Sequence, residues 1–91
     1  MRVSRQDLFD AETARFASLS PRERQVSILV AEGLTNKQIG KRLSIKPITV
    51  RHHLTSIFNK MEIHSRFELI VLCYRHEIVV PPAAASTRDS A

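Results

Sequence analysis

Residues 35–61 read TNKQIGKRLSIKPITVRHHLTSIFNKM, and the spacing within them decides the fold. Thr35 followed three residues later by Gln38 is the reciprocal pair of a helix capping box. Ile39 and Leu43, four apart, then share one helical face. Pro47 has no N–H to lose and suits the first turn of a helix, so a second helix begins there, leaving Ser44, Ile45 and Lys46 as a tight turn. Val50, Leu54, Ile57 and Met61 follow at i, i+4, i+7 and i+11, a single apolar stripe, while Arg51, His52, Thr55 and Asn59 lie away from it. The segment carries Lys37, Lys41, Arg42, Lys46, Arg51 and Lys60 and no Asp or Glu. The pattern predicts a helix pair whose second member keeps one side in a core and offers the other to a partner.

The rest of the composition narrows what that partner is. The chain has 91 residues and a formal charge of +5, which this one segment suffices to supply. A chain of this size builds one modest core. A basic face suits a polyanion, because neutralised phosphates release their condensed counterions. An acidic membrane surface is the other candidate for such charge, but no stretch is long and apolar enough to span a bilayer. The first twenty residues mix Arg, Asp and Glu and hold no signal-peptide apolar run. The single cysteine, Cys73, permits no internal disulfide and fits a reducing cytoplasm.

Outward from the central pair the same punctuation recurs. Before it, Ser20, Pro21 and Glu23 mark a helix start with a capping box, and Leu19 can staple onto it. Val26, Leu29 and Val30 form its buried stripe, and Gly33 stops it. Gly40, unfavourable inside a helix, implies close approach of a neighbouring helix. After the pair, Ser65 and Glu68 open a last helix with two apolar faces. One carries Leu69, Ile70 and Cys73; the other carries Phe67, Val71 and Tyr74, more than so small a core can bury. Residues 1–18 form a linker or a short helix beginning after Ser4, with Leu8, Phe9 and Phe16 on its apolar side and Glu12 at the same spacing. Residues 81–91, PPAAASTRDSA, hold no apolar pattern and are expected to be disordered.

The segments SPRERQV, AEGLTNKQI, RLSIKPITVRHHL and IFNKMEIHSR, in this order, resemble the LuxR/FixJ-type helix-turn-helix domain over residues 19–80. The resemblance implies an all-α, four-helix fold, here with the extra N-terminal helix as an option. It implies a DNA-binding bacterial transcription regulator whose third helix, about 47–61, lies in the major groove and whose fourth, about 65–76, dimerises. It also implies that Glu23 pairs with Arg66, tying the first helix to the fourth. Five positions depart from the family pattern: Lys46 replaces a capping Ser or Thr, Gly40 an Ala, Glu77 a Gly after the last helix, Ser27 an apolar residue and Ile28 a polar one.

Roles follow from chemistry at each position. Arg51 can bond guanine O6 and N7 together, and His52 and Thr55 share its face, so these three are the expected base contacts. Asn36, Lys37, Lys46, Thr49 and Lys60 are the expected phosphate contacts. Phe67, Val71 and Tyr74 are the expected dimer face. Adjacent His52 and His53 diverge by about 100° on a helix and do not chelate together, and Cys73 with His76 lacks further ligands. No metal, cofactor or catalytic constellation is therefore expected, and the chain reads as no enzyme. The partners expected are double-stranded DNA and a second copy on DNA, with RNA polymerase a further candidate. The competing reading is a helical module whose basic face binds an acidic protein surface. The length is compatible with a free-standing regulator and with the end of a longer one.

Overall fold

Helix caps set most of the boundaries. The computed structural model describes residues 3–79, which form α1 (Arg5–Ala17), α2 (Pro21–Ala31), α3 (Asn36–Leu43), α4 (Pro47–Met61) and α5 (Arg66–Arg75). No strand occurs among the described residues. The expected tail, 81–91, lies outside them. Ser4, Ser20, Thr35 and Ser65 each cap a helix in a full capping box, with Asp7, Glu23, Gln38 and Glu68 reaching back. Each such cap contributes about 1 kcal/mol. Only α4 starts without one: Lys46 precedes it with no side-chain cap bond, and Pro47 alone sets the backbone.

Hydrophobic periodicity supplies the core. α2 packs against α5 and α4, and α3 lies against α4. Val26, Val30, Ile39, Val50, Ile57 and Leu69 are buried almost completely at their junction. Ser27, polar where the family pattern is apolar, is buried too and gives its hydroxyl hydrogen to the Glu23 carbonyl at 2.9 Å. Cys73 is buried beneath α2, and that burial pushes its thiol up to about 11, so it packs as a small apolar residue.

The turn between α3 and α4 is closed within its own residues. Ser44 takes a left-handed conformation (φ 58°), and the Ile45 N–H donates to the Gly40 carbonyl at 2.9 Å. A Cβ on Gly40 would stand 2.6 Å from the Ile45 carbonyl oxygen. The glycine thus makes room for the turn, and not for a neighbouring helix as its place in the sequence suggested.

The N-terminal helix forms, but apolar burial is a minor part of what holds it. Phe16 enters the core, whereas Leu8 and Phe9 remain 46% and 39% exposed. Docking is largely polar. Buried Glu12 receives Arg75 Nη1 at 2.9 Å and lies 2.8 Å from His76 Nε2, and the His76 ring stacks on Phe9 at 4.1 Å. Arg15 pairs with Glu62 at 3.1 Å, where Glu62 ends α4 in a left-handed conformation. Glu77, in the place of the family glycine, is also left-handed (φ 53°), a backbone that favours glycine.

Candidate nucleic-acid interface

The stripe of Val50, Leu54, Ile57 and Met61 fixes the roll of α4 by burying one side of it. The other side then has to face out. Arg51, His52, Thr55 and Asn59 are exposed there, and so is Ile48 in the first turn. Thr55 donates its hydroxyl hydrogen to the Arg51 carbonyl at 3.2 Å, leaving an acceptor and a methyl group on its outer side. Lys37 on α3 and Lys46 at the turn are exposed, and Thr49 is half-buried at the flank of the same face. Among the described residues no ion pair involves Lys37, Lys46 or Arg51. Arg51, His52 and Thr55 thus face outward on α4, with Lys37 of α3 and Lys46 of the turn exposed beside its start.

Two of the expected contacts are engaged inside the domain. Lys60 Nζ lies 2.7 Å from Glu23 Oε1, so its charge is met by a buried carboxylate rather than left for a phosphate. Asn36 Oδ1 accepts from Arg66 Nη1 at 2.7 Å, which commits the acceptor and leaves the amide N–H groups for another partner.

The pair expected between Glu23 and Arg66 does not form. Glu23 takes the Ser20 N–H, the Ser56 hydroxyl and Lys60, filling its carboxylate at the start of α2. Arg66 instead bonds Asn36 and the Leu34 carbonyl (2.6 Å), beyond the other end of α2. An eleven-residue helix is about 16 Å long, so the two ends cannot share one salt bridge. Burial alone would raise the Glu23 pKa, yet hydrogen bonds from Lys60, Ser56 and the Ser20 N–H, with the Lys60 charge, hold it at about 2. The effect is structural: Glu23 sets the pitch of α4 against α2, and Arg66 ties the start of α3 to α5.

The expected dimer face is divided. Phe67 is 72% exposed, while Val71 and Tyr74 are half-buried. Tyr74 donates its hydroxyl to the Ala31 carbonyl at 3.0 Å, anchoring α5 to the end of α2. Val71 and Phe67 line a groove of about 380 Å³ that runs between α5 and α1, with Leu8 and Glu12 on its far wall.

The Glu12–Arg75–His76 cluster is the feature that spacing alone did not assign. Its one local signal is a carboxylate, Glu12, sitting at the same helical interval as Leu8 and Phe16. No group of three or more His, Cys, Asp or Glu side chains suited to a metal occurs among the described residues, and no helix there is long and apolar enough to cross a membrane.

Comparison with known proteins agrees with this geometry. Residues 17–73 match the model of bacterial regulatory proteins of the luxR family. The chain is 44% identical over 62 residues to the transcriptional regulatory protein FixJ of Bradyrhizobium diazoefficiens, covering 68% of this chain and 30% of that one. To the transcriptional regulatory protein LiaR of Bacillus subtilis it is 40% identical over 62 residues, 68% of this chain and 29% of that one. An HTH-type transcriptional regulator of Mycobacterium bovis is 49% identical over 55 residues, but those are 60% of this chain and only 6% of that protein. Among solved structures, the response regulator StyR superposes with a TM-score of 0.72 at 36% identity, over 77% of this chain and 35% of that one. The chain therefore spans under a third of the length of each of these sequence relatives.

Proposed function

Because the chain belongs to the luxR family of bacterial regulatory proteins, we propose that it binds double-stranded DNA to regulate transcription, with α4 in the major groove. The observation that carries this reading is the exposed side of α4, where Arg51 and His52 stand free beside Lys37 and Lys46 while the opposite side is locked in the core. In this reading Arg51 donates both guanidinium arms to a guanine edge, and His52 and Thr55 read the neighbouring bases. Lys37, Lys46, Thr49 and the amide N–H groups of Asn36 hold phosphates and set the register without reading sequence. Lys60 has no such role, since it belongs to Glu23. Two copies assemble on DNA through the Phe67 side of α5, each reading a half-site about one helical turn from the other. RNA polymerase is the partner that a DNA-bound regulator of this kind would address.

The experiment is binding to duplexes selected from random sequence, measured across salt concentrations. Affinity should fall steeply as salt rises, with a slope set by the phosphates neutralised. Arg51→Ala should lose about 1–3 kcal/mol on the selected site and relax the preference for one base pair, whereas Lys46→Ala should weaken all duplexes alike. Equal losses on selected and random DNA for Arg51→Ala would make Arg51 a phosphate contact.

A further inference from the structure

We propose that Ile48 reads the methyl group of a thymine in each half-site, an inference that rests on α4 lying in the major groove. Ile48 is 48% exposed and is not among the hydrophobic residues packed on the core. Among the described residues the other large exposed hydrophobics are Val3, Leu8, Phe9 and Phe67, all outside the basic segment. Ile48 alone stands inside it. At 100° per residue, Ile48 lies about 60° from Arg51 and about 40° from His52, so it sits between them, one turn nearer the helix start. That end is the one whose side chains reach base edges in helix-turn-helix docking.

The chemistry of the groove then leaves one class of target. Phosphates, and the donors and acceptors of the base edges, gain nothing from a branched hydrocarbon. The one apolar feature of a major-groove edge is the C5 methyl group of thymine. Ile48 also loses little freedom on contact, because its β-branched side chain is already restricted at χ1. Neighbouring cations hold the helix against the backbone, and the Ile48 side chain excludes water from the methyl it covers.

Removing only that methyl tests the idea. A site is first selected from random duplexes by the wild-type chain, and each thymine is then replaced singly by deoxyuridine. One replacement per half-site should weaken binding about fourfold, the factor for uncovering one methyl-sized group. Ile48→Ala should weaken the unmodified site comparably and become indifferent to that same replacement, with unchanged thermal unfolding. Thr55 carries the rival methyl, so Thr55→Ser should leave the deoxyuridine effect in place. A flat scan with the wild-type chain, or a scan that Thr55→Ser flattens and Ile48→Ala does not, overturns the assignment. A steeply salt-dependent, selected site with a flat scan sinks Ile48 alone, whereas absence of any DNA binding sinks the groove reading beneath it.

Discussion

At Glu23 one carboxylate serves the cap of α2 and the seating of α4, through the Ser20 N–H, the Ser56 hydroxyl and Lys60. Its capping role was legible in the sequence, because a capping box is written within four residues. Its long-range partners were not: Ser56 and Lys60 lie 33 and 37 residues away, and no local spacing distinguishes them from Arg66. Glu23→Ala should cost about 2 kcal/mol, the cap plus its charged partners. A double-mutant cycle with Lys60→Ala should show coupling of about 0.5–1 kcal/mol, kept small by the exposed lysine, and one with Arg66→Ala should show none. Coupling to Arg66 as large as to Lys60 would contradict the geometry. The pH dependence has a fixed sign. Held at about 2 against an ordinary 4.5, this carboxyl contributes stability that is complete above about 4.5 and drains away as pH falls toward 2. Acid titration should therefore destabilise the wild-type chain more than Glu23→Ala across that window.

Among the elements, α1 differs from the rest in how it is held. Helices α2, α3 and α5 declare themselves by caps and apolar stripes and α4 by Pro47 and its stripe, and their limits fell close to where those signals put them. α1 was legible only as an alternative to a linker; the structure forms it behind a Ser4–Asp7 capping box, and its docking was not legible at all. Of its apolar side chains only Phe16 buries fully, and the remainder is fastened by Glu12 to Arg75 and His76. Burial works against the charge on Glu12, but bonds from His76 and Arg75 bring its pKa below the ordinary value. The stability that this depressed Glu12 pKa represents is thus present above the ordinary carboxyl range and lost on acidification below it. Glu12→Ala should cost about 1–3 kcal/mol locally. In amide hydrogen exchange, residues 5–17 should lose protection while the core of α2 and α5 keeps it. Uniform loss throughout the chain would show that α1 is an integral layer of the fold.

For the whole molecule, the unresolved half of the sequence reading concerns pairing. Two apolar faces on α5 were visible as a surplus over what one small core can hide, but a wheel could not tell which residues the domain itself would use. Tyr74 turned out to be tethered to Ala31 and Val71 to line the groove beside α1, which leaves Phe67 as the open position. Phe67→Glu should leave unfolding unchanged, remove cooperativity on a two-half-site duplex and spare binding to one half-site. Unchanged cooperativity would move the interface elsewhere. Because Glu23 cancels Lys60, the positive potential along α4 is uneven, strong near Lys37, Lys41, Lys46 and Arg51 and weak at the far end. A duplex drawing near exerts a torque on such a charge distribution, turning the leading end of α4 toward it before any atoms touch. Orientation then belongs to the diffusional encounter, within a screening distance of about 8 Å at physiological salt. In stopped-flow association at low salt, Lys46→Ala should slow the bimolecular step several-fold, while the joint replacement Glu23→Gln with Lys60→Met, which removes the pair without changing net charge, should leave it unaltered. The pair of Glu23 and Lys60 is silent in the approach, and its silence aims the molecule.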